Sequence, residues 1–103
     1  MLRHMVFMKY SGAVPQADRH CLMRDLEQLR SEIEGMEDFR TGRNVSPEAP
    51  LVHGLVDLFW IDFRDAEARD AYLANTTHKA IGARIMASLD GGEEAIFVCD
   101  LEL

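Results

Sequence analysis

The sequence predicts an α+β domain whose elements run β-α-β-β-α-β, with the second helix broken in two. Leu22, Leu26, Leu29 and Ile33 recur at i, i+4, i+7 and i+11, the spacing of one helix face. Residues Leu2 to Tyr10 and Val52 to Phe63 are instead apolar-rich runs of strand length. Between these segments "SGAVPQAD", "SPEAP" and "DGG" supply turn chemistry.

Taken in order, Leu2–Tyr10 is the first strand. Pro15 suits a helix start, and the first helix runs from about Gln16 to Ile33, with Gly35 as its C-cap. Met36–Val45 is the second strand, "SPEAP" a loop, and Val52–Phe63 the third and most apolar strand. "RDAEARDAYLAN" is a short helix of good helix formers. A further helix begins near Thr76–Thr77, either of which can cap it, and runs to about Leu89. The last strand is Ala95–Leu101. This order is the ferredoxin-like plan, a four-stranded antiparallel sheet with helices on one face.

Strand parity adds an expectation about assembly. His4, Val6 and Met8 point one way from the first strand, and Met5 and Phe7 the other. In the third strand Leu55, Asp57, Phe59 and Ile61 share one face, while Val56, Leu58 and Trp60 share the opposite one. Both faces are apolar, yet the helices suffice for only one. The other face needs a cover, and a second copy supplies it. A homodimer packed sheet against sheet is expected, with Val56, Leu58 and Trp60 at its interface.

With 103 residues the chain has the length of one domain. Its formal net charge of −7 argues against a nucleic-acid backbone or an anionic membrane surface as partner. No apolar run approaches the ~20 residues of a membrane span. The opening "MLRHMVFMKY" lacks the pattern of a signal peptide, and Cys21 and Cys99 have no metal-ligand spacing. Both read as reduced thiols, Cys21 as a small core residue, and the expected location is cytoplasmic. No G-x-S-x-G, P-loop or dinucleotide fingerprint occurs, so no cofactor is expected. His4, Asp57 and His78 have no recognised ligand spacing, and no metal site is expected. His20 and His53 read as surface residues.

The polar residues that stand out are those in apolar surroundings. Asp57 interrupts "LVDLFWI", and a buried carboxylate needs a partner, an edge position or a task. His4 lies amid apolar residues of the first strand. His78 falls in the first turn of the last helix, where the helix N-terminus favours a neutral imidazole. Tyr72 ends the short helix, and its ring either packs or offers a hydroxyl to a pocket.

Several segments resemble one family, the stress-responsive A/B barrel (Dabb) family of the dimeric α+β barrel superfamily. "LRHMVFMKY" resembles its opening strand, and "GRNVSPE" (Gly42 to Glu48) a recurrent turn after its second strand. "DFRDAEARDAYLANTTH" is similar to its F-x-D-x-x-A-x-x-A-Y-x-x-H-x-x-H segment, and "FVCDLEL" to its closing V-x-D-x-E. The resemblance implies a homodimer whose two sheets close into a barrel. In a plant polyketide cyclase of the family, a histidine, a tyrosine and a second histidine line a pocket between sheet and helices. The matching residues here are His4, Tyr72 and His78. They imply a cofactor-free site in which a neutral histidine held by the tyrosine removes a proton α to a carbonyl. "NTTH" lacks that motif's first histidine, and Asp57 stands where the cyclase has another pocket histidine.

The expected site is therefore a pocket of His4, Asp57, Tyr72 and His78, walled by Val6, Met8, Phe59, Ile61 and Ile81. Its expected occupant is a small hydrophobic or aromatic ligand of carbonyl type, bound without turnover. A cyclase-like or lyase enzyme is the alternative, and a structural stress oligomer the second.

Overall fold

Period-two alternation in the strands resolves into a single four-stranded antiparallel sheet. The structure, a computed structural model, describes all 103 residues. Its strands are β1 (Leu2–Met8), β2 (Met36–Arg43), β3 (Asp57–Phe63) and β4 (Ile96–Glu102), in the sheet order β2-β3-β1-β4. The helices are α1 (Gln16–Gln28), a single turn α2 (Ala49–Val52), α3 (Ala66–Ala74) and α4 (Thr76–Ser88). This is the ferredoxin-like fold that the sequence predicts, broken second helix included.

Helix α1 places Leu22 and Leu26 against the sheet, and a 3-10 turn over Leu29–Ser31 carries the apolar row on to Leu29 and Ile33. Gly35 then turns the chain with φ 87°, and a β-carbon there would lie 2.8 Å from that of Ala68. Only glycine suits both demands, so this position fixes how closely α3 approaches the turn into β2.

Some boundaries differ from expectation. The third strand begins at Asp57 rather than Val52, because residues 49–52 wind into α2 around Pro50. His53 and Gly54 then reverse the chain with φ of 56° and 73°. "SPEAP" is thus only partly loop, and Leu55 and Val56 precede β3. Strand β2 ends at Arg43, and Tyr10 keeps only an isolated bridge to Leu89.

The core lies between the sheet and the helices. Leu2, Val6, Met8, Phe39, Phe59, Ile61 and Phe63 meet Leu22, Leu26, Ala68, Tyr72, Ile81 and Ile85 from above. On the opposite side Met5, Phe7, Leu58, Trp60, Phe97, Cys99 and Leu101 form a row that no helix covers. Phe97 is 56% exposed, and its ring sits 6.1 Å from that of Phe7. At one end of this face Arg3 grips Asp62 through two hydrogen bonds of 2.8 and 3.1 Å. That fork satisfies a carboxylate that is otherwise buried.

Both cysteines are free thiols. Cys99 belongs to the uncovered face and Cys21 to α1 on the other side of the sheet, so the two do not meet. Cys21 is half-buried, not a core residue. Its sulfur accepts a hydrogen bond from Arg24.

Candidate functional site

His4 is in the row of β1 that faces the helices, and register places it directly across from Asp100 on β4. Its Nδ1 lies 2.7 Å from an Asp100 oxygen. An ionised carboxylate only accepts, so Nδ1 carries the hydrogen, and in the neutral form of the ring the lone pair is then on Nε2. The second Asp100 oxygen accepts from Arg69 of α3 at 2.9 Å. Burial alone would raise the Asp100 pKa, but the hydrogen bonds from His4 and Arg69 outweigh it and hold the group below its ordinary value. An Arg69–Asp100–His4 chain thus fixes the orientation and tautomer of a buried imidazole.

Tyr72, at the end of α3, packs its ring 5.8 Å from that of His4. Burial pushes its phenol far up, so it stays protonated. A single residue creates the helix break. Asn75 closes α3, and its side-chain oxygen accepts from the His78 backbone N–H at 2.9 Å, capping α4. Asn75, rather than Thr76 or Thr77, is therefore the cap. It sets His78 in the first turn of α4, with its ring 3.9 Å from the Tyr72 ring. The pair meets ring against ring and is not hydrogen-bonded, unlike the arrangement implied by the cyclase. Replacing Asn75 by alanine is expected to cost about 1 kcal/mol of stability. It should also perturb the His78 ring resonances, while an alanine at Thr77 leaves both nearly unchanged. Thermal melts and imidazole NMR signals check this.

The Nδ1 of His78 is buried with no hydrogen-bond partner. Burial lowers the pKa of this ring from its ordinary 6.5, repulsion from a positive charge on His4 adds to it, the Leu73 backbone opposes, and Lys79 makes a smaller lowering contribution. A depressed folded-state pKa means that the unfolded chain binds more protons just below pH 6.5. Stability is then complete above about pH 6.5 and declines as the pH falls towards the folded-state pKa. His78→Phe is expected to flatten that part of the stability profile, as measured by urea unfolding between pH 7 and 5.

These residues line a cavity of ≈ 420 Å³ with Val6, Phe59, Leu73, Ile85, Met86 and Val98. Its wall is mainly apolar, with His4, Tyr72, His78 and Asp100 as the polar groups at one end and Lys79 beside them. His4, Tyr72 and His78 converge as expected, and Val6 and Phe59 do form wall.

Four expected residues do not join them. Asp57 pairs in register with Met8 and Arg43, whereas Ile61 is the residue across from His4. Four residues along a strand amount to roughly 13 Å. Asp57 and Met8 therefore line a second cavity with Tyr10, Arg19 and Arg43. Ile61 and Ile81 are sealed in the core at 0% and 4% exposure and touch neither cavity. The residues that sequence reasoning missed are Asp100 and Arg69. Asp100 shares a period-two row with Ile96 and Val98, the same signal that singled out Asp57.

A β2-β3-β1-β4 sheet, helices on one face and a bare apolar face on the other define a class, the ferredoxin-like proteins. The chain belongs within it to the stress-responsive A/B barrel (Dabb) family, whose domain model matches residues 2–102. Among curated proteins none matches in sequence. Among solved structures, a dimeric ferredoxin-like protein of unknown function from Jannaschia sp. CCS1 is 31% identical. That match covers 99% of this chain and 98% of the other, with a TM-score of 0.88. The Arabidopsis thaliana protein At3g17210 is 25% identical over 100% and 95% of the two chains, with a TM-score of 0.86. A hydroxynitrile lyase from Passiflora edulis shares the fold at 14% identity, over 99% and 92% of the chains, with a TM-score of 0.82. No helix is long and apolar enough to cross a membrane.

Proposed function

We propose that this chain is a cytoplasmic homodimer that binds a small, largely hydrophobic ligand in the cavity of His4, Tyr72 and His78. The observation that carries this reading is the lining, a long apolar wall with convergent polar groups at one end. An aromatic or aliphatic body suits the wall, and a carbonyl or phenol suits the polar end. His78 is kept neutral there, and a phenol can donate to an unprotonated imidazole nitrogen. The dimer reading rests on the uncovered sheet face and on relatives described as dimeric.

The test is a thermal-shift screen of aromatic and polyketide-like carbonyl compounds, since a ligand that binds only folded protein raises the melting temperature. A hit is expected to weaken at least about tenfold in His78→Ala, a loss of ~1.4 kcal/mol, while the dimer persists. Binding unaffected by His78→Ala, or no ligand at all from such a screen, overturns the proposal and favours a structural oligomer.

A second reading has one specific observation in its favour. The Nδ1 of His4 donates to Asp100, and a neutral ring so held would leave Nε2 free to take a proton, as a general base requires. Removal of a proton α to a bound carbonyl would then make the protein a cofactor-free cyclase or lyase, with Tyr72 and His78 beside the reacting group. Turnover of a screened ligand that disappears in His4→Gln, with binding retained, would establish it.

A further inference from the structure

The cavity that holds Asp57 has its own chemistry. It measures ≈ 280 Å³ and lies between the first half of α1, the end of β2 and the start of β3. No residue lines both it and the His4 cavity.

Cations are scarce in this chain, with 11 Lys and Arg against 18 Asp and Glu. Arg3, Lys9, Arg40, Arg64, Arg69 and Arg84 each have a carboxylate partner. The other five, Arg19, Arg24, Arg30, Arg43 and Lys79, have none, and of these Arg19 and Arg43 stand together on the wall of this cavity. Arg43 lacks one even though Asp57 stands directly across from it in the β2–β3 register.

Arg19 is preorganised. Its Nε donates to the Val14 carbonyl and its Nη2 to the Ser11 carbonyl, each at 3.1 Å, and its guanidinium sits 4.9 Å over the Tyr10 ring. A guanidinium has five N–H donors, so three remain on a fork whose direction is already set. Asp57 is half-buried, and no ion pair engages its carboxylate. The Tyr10 hydroxyl is buried without a partner. Burial, followed by the charge of Asp57, pushes this phenol up to about 12, so it remains protonated.

A bare anion would satisfy the two arginines but meet repulsion from Asp57, and a bare cation faces the reverse problem. A molecule with an oxyanion at one end and hydroxyl groups at the other satisfies both, since arginine forks match carboxylate and phosphate and a carboxylate accepts from hydroxyls. We propose that this cavity binds a small hydroxylated organic anion, its oxyanion on Arg19 and Arg43 and a hydroxyl donating to Asp57.

The test is a series of amide NMR titrations with gluconate, glucose 6-phosphate and inorganic phosphate at millimolar concentration. Shifts are expected around Tyr10, Arg19, Thr41 and Asp57 with gluconate or glucose 6-phosphate, and the responding probe distinguishes a hydroxy acid from a sugar phosphate. Arg43→Ala, at an exposed site that leaves the fold intact, should weaken binding at least about tenfold. Asp57→Asn should weaken the hydroxylated probe while strengthening inorganic phosphate, because the repelling charge is gone. His78→Ala should change neither. Absence of shifts with both hydroxylated probes overturns the proposal, as does binding indifferent to Arg43→Ala. Inorganic phosphate binding the unaltered chain as well as glucose 6-phosphate would reject the role of Asp57.

Discussion

Trp60→Glu is expected to leave a chain that sediments as monomer at micromolar concentration. Trp60 is half-buried at the middle of the uncovered face, on an inner strand, flanked in register by Met5 and Arg40. Large aromatic side chains at the centre of an apolar interface carry much of its binding energy, commonly ~2 kcal/mol or more each. Putting a carboxylate there adds the cost of burying an unpaired charge, several kcal/mol further. At ~1.4 kcal/mol per tenfold, dimerisation should weaken by about a thousandfold. Trp60→Phe keeps most of the apolar surface and should stay dimeric. A Trp60→Glu chain that still sediments as dimer would place the interface elsewhere.

Phe63→Ala is expected to be the most damaging single truncation that leaves the polar residues intact. Phe63 is fully buried, packs its ring 5.3 Å from Tyr72 and 6.3 Å from His4, and lies between Leu2 and Met36 in register. Removing such a ring from a core costs about 3–5 kcal/mol, against a total stability of about 5–15 kcal/mol. The melting temperature should fall by roughly 15 °C or more, since each kcal/mol shifts a domain of this size by about 4–8 °C. Because the ring also backs the site, ligand binding should weaken even where the protein remains folded. Phe63→Leu refills part of the space and should recover much of both losses. A Phe63→Ala chain that melts within a few degrees of the unaltered one would show that the surrounding core closes over the gap.

The fold was largely legible because each strand carries its faces in alternate residues. Val6 and Phe59 fell on the helix side, and Met5, Leu58 and Trp60 on the bare side, as parity requires. Parity says nothing about position along a strand. Asp57 and His4 do share a face, yet only the pairing of His4 with Ile61 reveals that they stand at different ends of it. The same blindness hid Asp100, which no local pattern connects with His4. The start of β3 was missed because Leu51 and Val52 are as apolar as the strand that follows, while the turn that separates them depends on backbone angles at His53 and Gly54. Asn75 was overlooked because two threonines next to it are equally able to cap a helix.

The His4–Asp100 contact joins residues 96 positions apart, on the first and last strands. Closing so long a loop is entropically costly, and β4 is held to the sheet by β1 alone. The docking of β4 is therefore expected to fall after the folding transition state, so substitutions in β4 should speed unfolding while hardly slowing folding. The groups proposed to hold the ligand then straddle the seam expected to open first. A molecule held between His4 and Val98 would act as a clasp on that seam, lengthening the lifetime of the native state beyond what its effect on the folding rate would suggest.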